Sequence, residues 1–295
     1  MKKKVLLTGG SGFIGKNILE SYLAEKYEIF APKRAELDLS SENSINDFFS
    51  DKNFDIIIHA AGKPGHRNAK DISNIFFENT RMFFNILKHS DKFQRMINLG
   101  SGAIYDLRNY KPKMKEDYFG ENIPQDEHGF CKYVIGEHIK TIDNVVDLRI
   151  FGIFGKYEDY AIRFISNAIC KTIVNSPITI KQNRKFDYIY IDDLIPILEY
   201  FIENKPKYNA YNITPDKSIE LYELAEKIRK ISGKDLPIII KEKELGLEYS
   251  GDNSRVKSEI NSLKFMEIDK ALKELYEWYN QNQGIINKKY LLFDK

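Results

Sequence analysis

Between the apolar run Val5-Leu6-Leu7 and an amphipathic stretch beginning at Phe13, the chain places Thr8-Gly9-Gly10-Ser11-Gly12-Phe13-Ile14-Gly15. A glycine-rich turn from strand to helix leaves few architectures open. Its backbone can approach a pyrophosphate, and the start of the helix offers unpaired N–H groups and the positive end of the helix dipole. Gly10, Gly12 and Gly15 satisfy the spacing GxGxxG, and Gly9, Gly12 and Gly15 satisfy GxxGxxG. A dinucleotide phosphate fits such a turn; the plainer alternative is a tight turn with close helix packing.

The same alternation of strand and helix recurs along the first half of the chain. Short β-rich runs near residues 4–8, 27–31, 55–59, 95–99 and 145–151 are separated by helical patterns at 13–25, 42–50, 71–89 and 127–142. This predicts an α/β fold, a Rossmann-type doubly wound parallel sheet with helices on both faces. Ligands of such sheets bind beyond the carboxyl ends of the strands, so the loops starting at Gly9, Ala60, Gly100 and Gly152 open on the candidate site. The second half predicts helices at 161–175, 192–204, 219–232 and 268–281, with strands at 186–190, 210–213 and 238–241. The expected division is a dinucleotide-binding domain over 1–155, with a returning segment at about 183–205. A smaller C-terminal α/β substrate-binding domain is expected from 156–182 and 206–295.

Composition narrows the partners. Lys and Arg total 45 against 43 Asp and Glu, a net charge of +2, so no global field points to nucleic acid or an anionic membrane. An anionic ligand must be held by local groups. No apolar run approaches the roughly 20 residues of a membrane span, and the first residues read as a strand and a glycine turn, which argues against a signal peptide. Cys131 and Cys170 are too few and too far apart for a disulfide framework or a zinc site, so no metal is expected and the chain reads as cytoplasmic.

The second strand ends in Phe30-Ala31-Pro32-Lys33-Arg34, where NAD proteins place a carboxylate on the ribose. Two cations stand there instead, which favours NADP through its 2′-phosphate. NAD stays possible, because Glu36 or Asp38 can reach the ribose. Further on, His128 and Lys132 are four apart on one helical face and can address one small volume. Ser101 follows the fourth strand and opens on the same side.

The sequence resembles the extended short-chain dehydrogenase/reductases, the NAD-dependent epimerase/dehydratase family of nucleotide-sugar enzymes, over nearly the whole chain. The resemblance is carried by Thr8-Gly9-x-x-Gly12-Phe13-Ile14-Gly15, His59-Ala60-Ala61, Glu36-Leu37-Asp38-Leu39, Asn79, and Ser101 with Tyr105. Leu148-Arg149-Ile150-Phe151-Gly152-Ile153-Phe154-Gly155, Tyr190-Ile191-Asp192-Asp193-Leu194 and Tyr211-Asn212-Ile213 continue it. It implies a cofactor site of Gly9, Ser11, Gly12, Phe13, Ile14, Gly15, Lys33, Arg34, Asp38, Leu39, Ala60, Ala61, Gly62, Asn79, Leu99 and Lys132. Within the family, the GDP-fucose synthase and dTDP-4-dehydrorhamnose reductase types are most similar.

The family's Y-x-x-x-K becomes His128-x-x-x-Lys132. The resemblance then implies Ser101, His128 and Lys132 as the catalytic set, with His128 where a phenol usually exchanges the proton. A neutral imidazole can donate one N–H to a carbonyl. Lys132 should keep His128 mostly neutral, and activity should rise as pH falls if imidazolium is the donor. Tyr105 is better placed than Tyr133 to replace the missing phenol. Lys63, His66, Arg67, Gly102, Ala103, Arg163, Arg184 and Arg255 are the candidates for a nucleotide-diphosphate sugar. The expected activity is NADPH-dependent reduction of a 4-keto sugar nucleotide; a cofactor-binding protein without turnover and a 4-epimerase retaining NAD stay open beside it. The resemblance implies dimerisation through the helices at 71–89 and 127–142; Phe76, Phe77, Met82, Phe83 and Phe84 make the first of these unusually aromatic, so a homodimer is expected, a deeper core being the plainer alternative.

Overall fold

A computed structural model describes residues 2–65 and 71–292; the candidates His66 and Arg67 lie outside the described residues. The chain runs β1 (Lys4–Thr8), α1 (Phe13–Glu20), α2 (Leu23–Lys26), β2 (Glu28–Phe30), α3 (Glu42–Phe49), β3 (Phe54–His59), α4 (Ile75–Leu87), β4 (Phe93–Ser101), α5 (Glu127–Ile139) and β5 (Val145–Ile150). It continues with β6 (Gly152–Phe154), α6 (Phe164–Ile173), β7 (Ile178–Gln182), β8 (Lys185–Phe186), β9 (Tyr188–Tyr190), α7 (Ile191–Glu203) and β10 (Ala210–Ile213). The last elements are β11 (Ile219–Glu220), α8 (Leu221–Ser232), β12 (Ile238–Glu242), α9 (Ser254–Glu259), α10 (Ile268–Gln281) and α11 (Lys288–Leu291).

Six strands form one parallel sheet in the order β10-β5-β4-β3-β1-β2. Successive residues of a strand face opposite sides, so apolar runs feed two cores. Val5, Leu7, Ile56, Ile58, Ile97 and Leu99 pack with Ile18, Leu194 and Ile169 on one face. Leu6, Ile57 and Met96 pack with Ile45, Phe49, Phe83 and Ile135 on the other. The chain steps outward from β1 to β2 and then returns to the far side of β1 for β3. That reversal opens a crevice at the carboxyl ends of β1 and β3.

Several boundaries differ from the sequence expectation, each for a local reason. The helix expected at 13–25 breaks because the Ser21 hydroxyl donates to the Ile18 carbonyl (2.7 Å) and accepts from the Leu23 N–H (3.2 Å). The strand expected at 186–190 divides at Asp187, whose carboxylate accepts from the Gly251 N–H (2.8 Å) and from the Thr214 hydroxyl. The helix expected at 161–175 is confined to Phe164–Ile173. Small two-stranded pairings, β6 with β9, β7 with β12 and β8 with β11, lie outside the main sheet. Among the described residues no helix is long and apolar enough to cross a membrane.

The glycine turn is held by contact as much as by conformation. Gly9 has φ +73°, and a Cβ on Gly15 would stand 2.2 Å from the Gly9 carbonyl oxygen and 2.6 Å from the Gly10 Cα. Any side chain there pushes α1 off the end of β1. Gly12 is looser, since its Cβ would meet only the Gly9 oxygen at 3.3 Å. Gly15→Ala is therefore expected to cost about 1–3 kcal/mol or more, with a fall in Tm of several degrees by thermal denaturation, and Gly12→Ala distinctly less. Equal Tm values for the two variants would refute this account of the turn.

Candidate active site

The carboxyl ends of the strands converge on a cavity of about 700 Å³. Of the residues expected at the site, Phe13, Ile14, Ala60, Gly62, Lys63, Asn79, Leu99, Ser101, Ala103, His128, Lys132, Arg163 and Arg184 line it. Phe13 and Ile14 bring the start of α1 to it, while Gly9, Ser11, Gly12 and Gly15 of the turn do not line it. Gly9 packs so tightly on the loop after β3 that a Cβ would meet Ala61 N at 2.7 Å and the Ala60 carbonyl at 2.8 Å. Ser11 and Gly12 are exposed at the tip of the turn, and no side chain caps the start of α1. Asn79 braces the neighbouring loop by accepting from Lys63 N–H (2.7 Å) and donating to the Lys63 carbonyl (3.1 Å).

Beyond β2, Arg34 is 78% exposed and touches Asp38 at 3.4 Å, a surface contact of small worth. Lys33 is exposed as well, and its N–H donates to Glu36 at 2.7 Å. Asp38 turns inward to accept from the Ser40 N–H and hydroxyl at 3.0 and 2.7 Å. Leu39 is buried beside Phe49, and its carbonyl accepts from Asn85 at 2.9 Å. Residues 36–41 therefore lie against α4 instead of extending the sheet beyond β2.

At the other end, β4 runs into a short helical turn, Gly102–Tyr105, whose first N–H groups Ser101 caps by accepting from Ala103 N–H at 3.2 Å. Asp126 caps α5 through Gly129 N–H at 2.8 Å. Gly129 lets that helix close on the Ser101 turn, because a Cβ there would lie 2.9 Å from the Ala103 carbonyl. His128 and Lys132 so arrive beside Ser101, and Lys132 Nζ reaches the Leu99 carbonyl at 3.4 Å. His128 is exposed, its ring at the open cavity with the Lys132 and Arg163 charges near it. Desolvation first, then the Lys132 ammonium and the Arg163 guanidinium, push its pKa down to about 4, against a smaller opposing pull from Asp126. The imidazole is neutral at pH 7.

The phenols are arranged otherwise than the sequence suggests. Tyr105 is buried with its hydroxyl donating to Asn212 (2.6 Å) and accepting from Arg149 (2.9 Å), so it does not face the cavity. Instead Tyr110, Tyr188 and Tyr249 line it, together with Glu158 and Glu248. Tyr249 sits in an irregular segment where no motif signals it. Arg255 lies apart from the cavity, bonded to Asp117 (2.8 Å) and stacked over Tyr208. Gly102 is buried under the Tyr249 hydroxyl.

Beneath the crevice, His59 at the end of β3 shares a 2.9 Å hydrogen bond with the Thr8 hydroxyl. Burial and the Lys132 charge push its pKa down to about 3. A histidine that titrates near 6.5 when unfolded and near 3 when folded supports folding fully above pH 6.5 and progressively less as the pH falls. Stability should decline in acid with a slope approaching 1.4 kcal/mol per pH unit below about pH 6, and His59→Gln should flatten it in denaturant titrations at stepped pH. Parallel slopes for parent and variant would count against this.

Known proteins share both the sequence pattern and the fold. The model of the NAD dependent epimerase/dehydratase family matches residues 5–214. GDP-L-colitose synthase of Yersinia pseudotuberculosis is 24% identical over 303 residues, 94% of this chain and 97% of its own. GDP-L-fucose synthase of Dictyostelium discoideum is 24% identical over 320 residues, 97% and 98% of the two chains. Among solved structures, a GDP-mannoheptose C4 reductase from Campylobacter jejuni with NADP bound superposes with a TM-score of 0.81 at 19% identity, covering 94% of this chain and 98% of that one. At that identity the likeness is one of fold.

Proposed function

The chain belongs to the NAD dependent epimerase/dehydratase family, and from that premise we propose that it reduces the carbonyl of a nucleotide-diphosphate 4-keto sugar with NADPH. The observation that carries this reading is the convergence of Ser101, His128 and Lys132 on one cavity that extends to Phe13, Ile14 and the loop after β3. The relatives named for GDP-linked sugars support the substrate class.

The residues present fit the cofactor: side chains are absent at Gly9 and Gly15 where backbone must pass, and Arg34 is free to exchange its weak contact with Asp38 for a 2′-phosphate. When bound, NADPH supplies the hydride. The Ser101 hydroxyl and the neutral His128 N–H hold the sugar oxygen on which charge develops, the arrangement by which fixed donors lower a barrier. Lys132 orients the ribose and disfavours protonation of His128. Arg163 and Arg184 face the cavity as cations for the diphosphate, on a wall to which Glu158, Tyr188, Leu221 and Tyr249 also contribute. Pairing with a second copy across α4 and α5, where Phe77 is exposed and Phe76 stacks on Phe130 at 5.0 Å, belongs to the same reading.

His128 in place of a phenol favours a second reading, a cofactor-binding protein without turnover. The two separate by NADPH absorbance when parent and variants meet a panel of nucleotide 4-keto sugars. The parent should oxidise NADPH, and His128→Phe should lower kcat/KM by about a hundredfold. Arg34→Ala should raise KM for NADPH about tenfold and leave that for NADH nearly unchanged. Because His128 is neutral, kcat/KM should not climb about tenfold per unit fall in pH between 8 and 6, as an imidazolium donor would require. Tight NADPH binding with no oxidation, and activity created by His128→Tyr, would establish the second reading instead.

A further inference from the structure

A neutral imidazole can hold an oxygen but is a poor source of the proton that completes an alcohol, so the site needs another acid. The phenol beside Ser101 comes from the far end of the chain. Tyr249 lies in the cavity wall, its hydroxyl near those of Ser101 and Tyr110. Gly102 makes room for it, since a Cβ there would stand 2.7 Å from the Tyr249 hydroxyl oxygen. The ring is wedged among Tyr110, Phe151 and Phe186 at centroid distances of 4.8, 5.1 and 5.4 Å. Its backbone is clamped on both sides, with the N–H donating to Lys185 (2.9 Å) and the carbonyl accepting from Asp187 (3.0 Å). Of the other phenols, Tyr110 donates to the Gly102 carbonyl with its hydroxyl beside that of Tyr249, and the Tyr188 ring packs against Phe154 and Phe186.

We propose that Tyr249 is the proton source of this site, acting through the Ser101 hydroxyl on the sugar oxygen; this rests on the reductase reading. Bound NADPH would supply the hydride to the carbonyl carbon, leaving the π electron pair on oxygen. That oxygen takes the Ser101 proton, and Ser101 takes the proton of Tyr249. Solvent entering the cavity returns the proton to the phenolate after product leaves. The carbonyl is reduced, the nicotinamide is oxidised, and a proton is consumed. Burial pushes the Tyr249 pKa up to about 12, against smaller opposing effects of Tyr110 and Ser101, which keeps the donor protonated across neutral pH.

Tyr249→Phe keeps the ring and its packing and removes the acid. It should lower kcat about a hundredfold with KM and the NADPH dissociation constant within about threefold of the parent. Because the phenol acts through Ser101, the double variant Ser101→Ala, Tyr249→Phe should lose no more than Ser101→Ala alone. Multiplying losses in the double variant, or a rise in KM without loss of kcat in Tyr249→Phe, would overturn the proposal and leave the reductase reading intact. No turnover by the parent with any 4-keto sugar nucleotide overturns the reductase reading and the proposal with it.

Discussion

The active face of this protein depends on the approach of two backbones, Gly15 of α1 against the Gly9 carbonyl at the end of β1. A Cβ at Gly15 would lie 2.2 Å from that oxygen, far inside van der Waals contact. The other side of Gly9 packs on Ala60 and Ala61 with as little room. The helix start, the ends of two strands and the crevice between them are therefore one packing unit. A phosphate at the helix start, as proposed, would feel the same geometry that joins β1 to the loop after β3.

On the opposite side of the cavity the organising force is polar. Arg149 is buried, with Nε at 3.2 Å from Asp147 and an amino group donating to the Tyr105 hydroxyl. Asn98 donates to Asp147 at 2.6 Å, and Asn212 links Tyr105 to Glu116. Gly100 carries no side chain, which leaves room for the Asp147 carboxylate. A buried ion pair returns little net stability once desolvation is counted. Its value lies in position, because it joins the ends of β4, β5 and β10 to the turn that presents Ser101.

These two regions differ in how far the sequence exposes them. The central strands read clearly because each is a short apolar run closed by glycine or a small residue, and their order follows from right-handed crossovers. Ser101, which follows a strand, and His128 and Lys132, which share a helical face, do line one cavity, as that placement in the sequence suggests. The failures arise mainly from contacts distant in sequence. Ser21 breaks a helix by local capping, but Asp187 divides a strand by reaching Thr214 and Gly251. Tyr105 has the right spacing from Ser101 yet is drawn away by Arg149, and Tyr249 has no spacing to recommend it at all.

Tyr249 and His128 together account for a histidine being compatible with the site. A phenol on α5 would hold the sugar oxygen and supply its proton from one atom. Here the neighbouring Lys132 and Arg163 charges oppose protonation of His128, which in the proposed reaction leaves the α5 side chain to hold the oxygen. The supply of protons then has to come from a group that stays protonated beside those same cations. In the proposed reaction a half-buried phenol meets that demand, because desolvation raises its pKa where it lowers that of imidazole. The clamp of Asp187 and Lys185 on the Tyr249 backbone is what such a division requires: the donor comes from an irregular segment, and only fixed backbone contacts can keep it beside Ser101.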